Sequence, residues 1–360
     1  MTINQEKTKK SQSVPREQIE MENFSPWRRS WLRFKNNRRG YYSLWIFSIL
    51  LIVSLFAELI SNDKPIVVYY EQEIFVPLFN DYPETTFGGD FVTATDYNDP
   101  FIKEQLSKED NWAVYPINPY NHNTINYYAL TPNPAAPSEQ NILGTDDRGR
   151  DVLARLIYGF RLSVLFAIVL TVISVILGII IGGIEGYFGG WVDLSAQRLI
   201  EVWGSMPQLY LLIIFAAIFQ PSISLLIVLL SLFSWIGLSE YVRAEFLRGR
   251  NLDYVQSAQS LGVSNVGIMF KHLLPNSLIA VVTFLPFTAS SAILALTSLD
   301  YLGLGVPPTT PSLGELLAQG KENIASWWLS LTTFFVLVGT LTLLIFIGEA
   351  LREAMDARRG

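Results

Sequence analysis

The chain has 360 residues, of which 50% are hydrophobic and 16% are charged, and its net charge is −6. Soluble globular domains usually carry about 25% charged residues, so this composition argues against an ordinary soluble domain and predicts a helical membrane protein with several spans. Cysteine is absent, which excludes disulfides, thiolate metal sites and a cysteine nucleophile, and two histidines are too few to favour a histidine metal site.

The first 40 residues are predicted to form a cytoplasmic tail that ends in a basic membrane anchor. Residues 1–22 are polar and are expected to be disordered. The stretch 27–40 then combines six positive charges with two tryptophans and a phenylalanine. Such a patch is typical of a nucleic-acid or lipid-binding surface, or of an anchor at the membrane surface. The apolar run that follows immediately favours the anchor.

The apolar run at 41–61 is the predicted first span. A helix over Tyr41–Ile60, with a rise of about 1.5 Å per residue, would be about 30 Å long. This length matches the hydrocarbon core of a membrane, which is about 30 Å thick. Because the flank before this span is basic, the positive-inside rule places the N-terminus in the cytoplasm.

The polar stretch 62–141, called the acidic segment below, is predicted to be an external insert between the first and second spans. It holds twelve acidic residues and three lysines, the reverse of the N-terminal flank. Val67–Tyr70 and Ile74–Val76 have strand-like compositions and are predicted to form short strands around a turn. Two interpretations stay open: a domain that meets a partner or a cationic substrate, and a packed cap whose acidic surface serves solubility.

Residues 142–360 are predicted to form the transmembrane core. The turn at 144–149 leads into an amphipathic helix that is expected to lie on the outer membrane surface, before the second span at Leu162–Ile184. A glycine-rich loop at 185–193 follows. Four further spans are predicted: Val202–Phe219, Ser222–Ser239, Leu273–Leu299 and Ile324–Gly348. The break at 220–222 is expected to separate the first two, Pro207 to kink the first, and Pro286 to interrupt the third.

Counting spans from a cytoplasmic N-terminus gives a consistent topology. An external loop at 300–323 connects the last two spans, and Arg352, Arg358 and Arg359 place the C-terminus in the cytoplasm. The predicted fold is therefore an all-α polytopic membrane protein with six transmembrane helices.

A polar stretch, Asn251–Asn276, interrupts the apolar sequence and is called the 251–276 loop below. Its apolar residues recur at helical spacing in two runs, separated by Gly262 where a helix end favours a residue with positive φ. Ser264 is a candidate N-cap for the second run, and Pro275 is expected to end it. The surrounding positive charges place the loop in the cytoplasm, where it is expected to dock onto something in the water phase.

The sequence predicts no enzymatic site. Residues 314–321 resemble a phosphate-binding P-loop only faintly, because the glycine spacing is too long and Glu322 replaces the serine or threonine. The chain itself is therefore not expected to bind ATP, a metal or another cofactor. Glu185 and other acidic residues near the apolar runs map to span ends and are expected at the membrane interface, with Asp300 the best candidate for an exception.

Several blocks resemble one family of transport proteins. Gln256-Ser257-Ala258, then Gly262, then Pro275, resembles the EAA loop of ABC importer permeases. The blocks LGTDDRGRDVLARLIYG, GYFGGWVD and LGLGVPPTTPSLG resemble the C-type permease subunits of dipeptide and oligopeptide importers. The long acidic segment and the block LTSLDYLGLG look most like the permeases of microcin C and peptide importers of the Yej type.

The resemblance implies a permease subunit of an ATP-driven importer for peptides or peptide-like compounds, located in the bacterial inner membrane. It implies a second permease subunit, a cytoplasmic ABC ATPase with two nucleotide-binding domains that holds ATP and Mg²⁺, and an external substrate-binding protein. Nucleic acid is not an expected partner. The residues carried over for coupling to the ATPase are Asp253, Gln256, Ser257, Ala258, Leu261, Gly262 and Pro275. Asp300 and Tyr301 are candidates for the translocation path.

The chain departs from the family pattern at a few positions. Gln256 replaces the usual glutamate and Ser257 the first alanine, which removes a charge-assisted contact with the ATPase but keeps hydrogen-bonding capacity. Leu296 stands where many peptide permeases carry a glutamate, so the role of that glutamate does not transfer to this chain.

Two alternative functions remain open at this stage. A stand-alone secondary transporter or channel would work without ATPase partners, and it would normally show an inverted repeat, which is not apparent in this sequence. A membrane-tethered binding protein would act through the acidic segment, and it would leave the 251–276 loop unexplained.

Overall fold

The computed structural model of the protein describes residues 26–108, 110–127 and 131–355. The tail predicted at 1–22 and the arginines at 358 and 359 lie outside the described residues. Helices make up most of the described chain, and its strands are confined to the acidic segment.

The chain enters the described region through three consecutive helices. They are α1 (Pro26–Asn36), α2 (Arg38–Leu55) and α3 (Ala57–Ile60). Asn37 separates the first two, and its side chain caps α2 by accepting a hydrogen bond of 3.1 Å from the Gly40 N–H. The predicted first span at 41–61 falls on α2 and α3.

The described part of the acidic segment folds around a three-stranded antiparallel sheet in the order β2–β1–β3. Its elements are β1 (Val67–Tyr70), β2 (Glu73–Phe75), α4 (Pro100–Leu106) and β3 (Trp112–Val114). Both predicted strands are confirmed, whereas β3 was not predicted because it pairs with a strand far away in the sequence. Tyr70, Phe87 and Tyr97 bury their rings in a small core beside β1. The predicted all-α class therefore does not extend to this segment.

The helix that begins the transmembrane core, α5 (Val152–Phe188), is continuous over 37 residues. Asp151 caps its start by accepting a hydrogen bond of 2.8 Å from the Ala154 N–H. The prediction of a separate surface helix before the second span is wrong. Between Val152 and Ile184 there is no proline that would end the helix, so the amphipathic turns and the apolar run form one rod.

Four shorter helices follow α5. They are α6 (Gly190–Gly204), α7 (Gln208–Ile218), α8 (Ile223–Ser234) and α9 (Ile236–Gly249). The predicted breaks at Pro207 and at 220–222 are confirmed, and α6 meets α7 at an angle of 63°. The predicted glycine-rich loop at 185–193 is wrong, because α5 continues to Phe188 and α6 begins at Gly190. The turn between them is made at Gly189 and Gly190, which both have positive φ.

Helices α5 and α9 pack against each other at very short range. A Cβ atom at Gly182 would collide with the backbone of Ser239, and a Cβ atom at Gly186 would collide with the backbone of Arg243. Small residues at such a contact let two helix backbones approach closely, which is a common way of joining helices in membranes.

The 251–276 loop contains two short helices and a π-helical turn that lead directly into a long helix. These elements are α10 (Asp253–Ser260), α11 (Asn265–Ile268), the π turn (Met269–Leu273) and α12 (Leu274–Tyr301). The predicted helix, glycine corner and second helix are confirmed, but Pro275 does not end the second helix. Pro275 lies in the first turn of α12, where a missing N–H is tolerated, directly after the wider π turn.

The last two helices complete the core. They are α13 (Leu313–Glu322) and α14 (Trp327–Met355). The first of them lies inside the loop predicted at 300–323, and most of it is buried or half-buried. Leu313 and Leu316 are fully buried in the hydrophobic core that α5, α12 and α14 share. The predicted loop is therefore a packed part of the structure.

Among the described residues, four helices are long and apolar enough to cross a membrane, and the bent pair α6–α7 would make a fifth. The four are α5, α8 together with α9 (Ile223–Gly249), α11 together with the π turn and α12 (Asn265–Tyr301), and α14. Helix α2 has 18 residues and is not among them. The prediction of six spans thus still depends on the sequence of α2 and on counting α6–α7 as one span.

Candidate functional site

The 251–276 loop buries one face and exposes another. On the inner face of α10, Val255 and Ala258 pack into a small core with Phe246, Ile268 and Leu273. Several apolar side chains of the loop nevertheless remain exposed: Leu252, Tyr254, Leu261, Val263, Val266 and Phe270. A folded loop that leaves this much apolar surface uncovered is typical of a site where another protein docks.

The corner between α10 and α11 depends on Gly262. Its φ of +79° lies in the left-handed region, and the N–H of Val263 bonds back to the Ala258 carbonyl at 3.1 Å. Ser264 then caps α11, because its hydroxyl accepts a hydrogen bond of 3.2 Å from the Gly267 N–H. The corner is thus held by backbone geometry and local caps.

The predicted coupling residues divide between the two faces of the loop. Ala258 is buried, with 7% of its surface exposed, whereas Leu261 is 84% exposed. The remaining residues of the predicted set are all exposed: Asp253, Gln256, Ser257, Gly262 and Pro275. The structure therefore gathers the 253–262 part of the set on α10 and its corner and leaves Pro275 on α12.

The loop is tied to the end of α5 by contacts that the sequence analysis missed. The Tyr187 hydroxyl donates a hydrogen bond of 2.8 Å to the Asn265 side-chain oxygen. Arg250 donates a hydrogen bond of 3.2 Å to the Tyr187 carbonyl. Tyr187 belongs to the block GYFGGWVD, and its position after an apolar run was the available signal.

A polar cluster links α5, α6 and α9 beside these contacts. Arg243 donates to both carboxylate oxygens of Asp193, at 2.8 Å to Oδ2. Gln197 donates a hydrogen bond of 2.7 Å to Glu185. Glu185 is 1% exposed within the molecule. Burial inside the molecule is compatible with a position at the end of a span, so the interfacial position of Glu185 stays a prediction.

Asp300 is occupied in organising the turn after α12. Its carboxylate accepts a hydrogen bond of 2.8 Å from the Val306 N–H and another from the Ser312 hydroxyl. Asp300 is 8% exposed, and a Cβ atom at Gly305 would collide with it. Tyr301 is more accessible, and Lys321 lies 5.4 Å from the centre of its ring. A role for either residue in the translocation path stays a prediction.

The other end of α5 carries a network of buried charges. Arg150 pairs with Asp146 at 2.6 Å and with Glu315 at 3.2 Å, and Arg155 pairs with the same two carboxylates. The Asp146 and Arg155 side chains have no solvent exposure. The network joins the block at 143–159 to α13, which begins at the end of the block LGLGVPPTTPSLG.

The acidic segment is fastened to the same end of α5. Asp151 accepts hydrogen bonds from Asn118 at 2.7 Å and from Asn141 at 2.8 Å. Burial raises the pKa of the Asp151 carboxyl, although these two hydrogen bonds oppose the shift. Arg155 donates to the His122 carbonyl at 3.1 Å. Burial, and then the Arg155 charge, lower the pKa of the His122 ring.

No group of three or more histidine, aspartate or glutamate side chains within the described ranges is arranged to hold a metal ion. The charged groups described above at the two ends of α5 are paired with each other, with amide side chains or with backbone carbonyls. Their arrangement fixes helices and loops in place.

Two family models match the chain. The model described as "Binding-protein-dependent transport system inner membrane component" covers residues 174–360, which include the 251–276 loop and the α5–α9 contact. The model described as "N-terminal TM domain of oligopeptide transport permease C" covers residues 25–100, which include α1 and α2.

Individual proteins are similar over most of the chain. The peptidoglycan transport system permease protein YejE of Agrobacterium fabrum is 49% identical, over 93% of this chain and 94% of that protein. The inner membrane ABC transporter permease protein YejE of Escherichia coli is 48% identical, over 91% and 96%. The dipeptide transport system permease protein DppC of Haemophilus influenzae is 34% identical, over 60% and 74%.

The family resemblance inferred from the sequence blocks is thereby confirmed. Permeases of this kind are membrane transport components of ABC systems. The apolar helices of this chain, and the close contact of α5 with α9 at glycine residues, fit that role. The chain belongs to the family of binding-protein-dependent transport system inner membrane components, as a permease of the Yej and dipeptide type.

Proposed function

We propose that this permease imports peptides or peptide-like compounds, microcin C-type compounds among them, and takes its energy from ATPase subunits that dock on the 251–276 loop. The observation that carries this proposal is the exposed apolar surface of a loop whose fold is complete. Leu261 is 84% exposed at the corner, although Ala258, three residues earlier, is buried. A partner that covers this surface would receive a rigid contact through which a movement can pass to the spans.

The cargo follows from the names of the relatives. Those names refer to peptidoglycan transport and dipeptide transport, which share the peptide bond as a chemical feature. In this proposal a second permease subunit forms the other half of the path, and an external binding protein delivers the peptide. The ATPase partner, with two nucleotide-binding domains, would hold ATP and Mg²⁺.

The proposed topology has six spans, with both chain ends in the cytoplasm. Contacts between the two ends of the described chain support it. Phe34 of α1 is buried against Ala350 and Ala354 of α14, and Asn37 donates a hydrogen bond of 2.8 Å to Glu353. The basic flank of α2 would then lie on the cytoplasmic side of the inner membrane. An α5 rod of about 55 Å would connect the external acidic segment to the cytoplasmic loop.

The direct test is uptake of a labelled peptide into proteoliposomes that contain the whole transporter and the binding protein. Uptake is measured with ATP inside or outside the vesicles, and with and without the ATPase subunits, to identify the source of energy. We expect uptake only with ATP and the ATPase. Ion-driven uptake by the permease alone would contradict the proposal and favour a stand-alone secondary transporter.

A pair of variants tests the docking surface. Leu261→Asp places a charge on the exposed corner and is expected to prevent co-purification of the ATPase. Ile117→Asp is the matched control, because Ile117 in the acidic segment is also 84% exposed. Normal ATPase binding by Leu261→Asp, or equal losses in both variants, would contradict the assignment of the loop.

A further inference from the structure

A cavity of about 430 Å³ lies among the apolar helices, and neither Asp300 nor Tyr301 borders it. It is bordered by α5, α8, α9 and α12, with the start of α7 at one side. The side chains that matter for its chemistry are Gln208, Ser234, Phe287, Thr288 and Ser291. A volume of this size falls within the range of small-molecule sites, about 300–1,000 Å³.

The lining combines polarity with the absence of charge. All the residues that border the cavity are uncharged, and amide, hydroxyl and aromatic groups stand among the aliphatic ones. Polar side chains in apolar helices usually face the protein interior or a water-filled path, because lipid offers them no hydrogen bonds. The Gln208 amide both donates and accepts hydrogen bonds, as a peptide group does.

The hydroxyl groups that border the cavity can form further hydrogen bonds. Ser234 and Ser174 share a hydrogen bond of 2.5 Å, and Thr288 donates one of 3.1 Å to the Phe284 carbonyl. A hydroxyl group that donates one bond can still accept others. The cavity can therefore accompany a peptide backbone, whose N–H groups need acceptors, without offering a charge to its side chains.

We propose that this cavity is the substrate-contacting part of the transport path in this chain, and that it accommodates the peptide backbone without selecting the charge of the side chains. This inference depends on the proposed import of peptides. It moves the path away from Asp300, whose carboxylate is occupied by the turn after α12. Side-chain selection would then belong to the external binding protein and not to this membrane site.

Gly237 provides a way to obstruct the cavity. It borders the cavity, and within the described structure no heavy atom outside its own surroundings lies within 4 Å of the place where a Cβ atom would stand. A leucine side chain at this position would therefore enter open space. Gly339 on α14 is a matched control, since its Cβ position is equally open but does not border the cavity.

The first experiment compares Gly237→Leu with Gly339→Leu in the reconstituted transporter. We expect Gly237→Leu to lower peptide uptake by about tenfold, because its side chain would occupy part of the path, with the ATPase and second permease still co-purifying. Gly339→Leu should import normally. Normal uptake by Gly237→Leu would overturn the proposal. Loss of the second permease in Gly237→Leu alone would also overturn it, because the cavity would then hold a partner helix.

The second experiment tests whether the lining is neutral toward charge. It uses two peptides that are identical except at one position, where one has an acidic and the other a basic side chain. Each uptake rate is divided by the wild-type rate for the same peptide, which cancels the preference of the binding protein. Ser291→Asp should disfavour the acidic peptide, and Ser291→Lys the basic one, by about fivefold each. Identical ratios for both peptides in both variants would overturn the proposal. Absence of ATP-driven uptake in the wild type would instead refute the proposed function.

Discussion

The hydroxyl group of Tyr187 donates a hydrogen bond of 2.8 Å to the side-chain oxygen of Asn265. Tyr187 lies in the last turn of α5, and Asn265 is the first residue of α11, directly after the corner at Gly262. The other end of α5 begins beside the Arg150 and Arg155 ion pairs. A single helix thus connects the exposed apolar loop with the buried charge network at the opposite end of the molecule.

This relationship predicts that Tyr187→Phe weakens the coupling of ATP hydrolysis to transport. The variant keeps the ring in its core and removes only the hydroxyl, whose hydrogen bond contributes about 1 kcal/mol. We expect peptide uptake to fall by about fivefold while ATP hydrolysis is retained, so the number of peptides imported per ATP decreases. Uptake and hydrolysis are measured in the same proteoliposomes.

Tyr42→Phe serves as the control for Tyr187→Phe, because Tyr42 is 62% exposed on α2. An unchanged ratio of uptake to hydrolysis in Tyr187→Phe would show that the hydrogen bond to Asn265 does not carry the movement.

Substitutions at Gly262 are expected to act through backbone conformation. A left-handed φ costs L-residues about 1–2 kcal/mol, least for asparagine and more for β-branched residues. No neighbouring heavy atom in the described structure lies within 4 Å of the Cβ position, so crowding is not the cause. Gly262→Val should therefore reduce ATPase binding, and Gly262→Asn should largely keep it. Affinity measurements on the two variants check this order, and equal losses would contradict it.

Ala258 and Gln256 are expected to respond in opposite ways to a carboxylate. Ala258→Asp would place a charge in the core of the loop, where its desolvation is costly, and should disrupt the loop and abolish uptake. Gln256→Glu changes an exposed position and restores the carboxylate usual in the family motif. It should bind the ATPase at least as well as the wild type. Weaker binding would indicate that the partner of this chain has adapted to glutamine.

Glu315→Gln is expected to destabilise the end of the molecule that carries the acidic segment. The substitution keeps the side-chain size but leaves Arg155, which has no solvent exposure, with one carboxylate partner fewer. Removing one partner of a buried pair typically costs about 3–5 kcal/mol. A lower melting temperature of the purified protein checks the prediction. Glu322→Gln, at an exposed position of α13, is the control and should melt like the wild type.

The stability of the same region should depend on pH through His122. Its pKa lies below the ordinary value of 6.5, because of burial first and then the positive charges of Arg155, Arg161 and Arg150, which outweigh the opposing effect of Asp63. The unfolded chain therefore binds a proton more readily than the folded protein just below pH 6.5, and stability is lost as the pH falls through this window.

The comparison of the wild type with His122→Gln isolates this effect. Melting temperatures measured from neutral pH to below 6.5 should fall less steeply in the variant. Asp147 and Asp151 have raised pKa values and act in the opposite direction in more acidic solution, but they are present in both proteins. Parallel melting curves would contradict the assignment of the pH dependence to His122.

Features that depend on local chemistry could be predicted from the sequence. The apolar runs, the break at 220–222, the corner at Gly262 and the cap at Ser264 each follow from neighbouring residues, and the structure confirms them. The predictions that failed were those in which tertiary packing changed a local tendency. The amphipathic stretch after Asp151 became part of α5, and Pro275 was accommodated inside a longer helix.

The sequence by itself determined that the chain is a membrane permease with a polar loop between apolar helices, because hydrophobicity and motif spacing are properties of neighbouring residues. Only the tertiary structure decided which polar residues meet. Asp146 and Arg155 lie in one block and meet Glu315 from a distant part of the chain, because the charges are buried and each needs a partner of opposite sign. Tyr187 meets Asn265 because of helix packing. The close contact of α5 with α9 brings the end of α5 to a loop far along the chain.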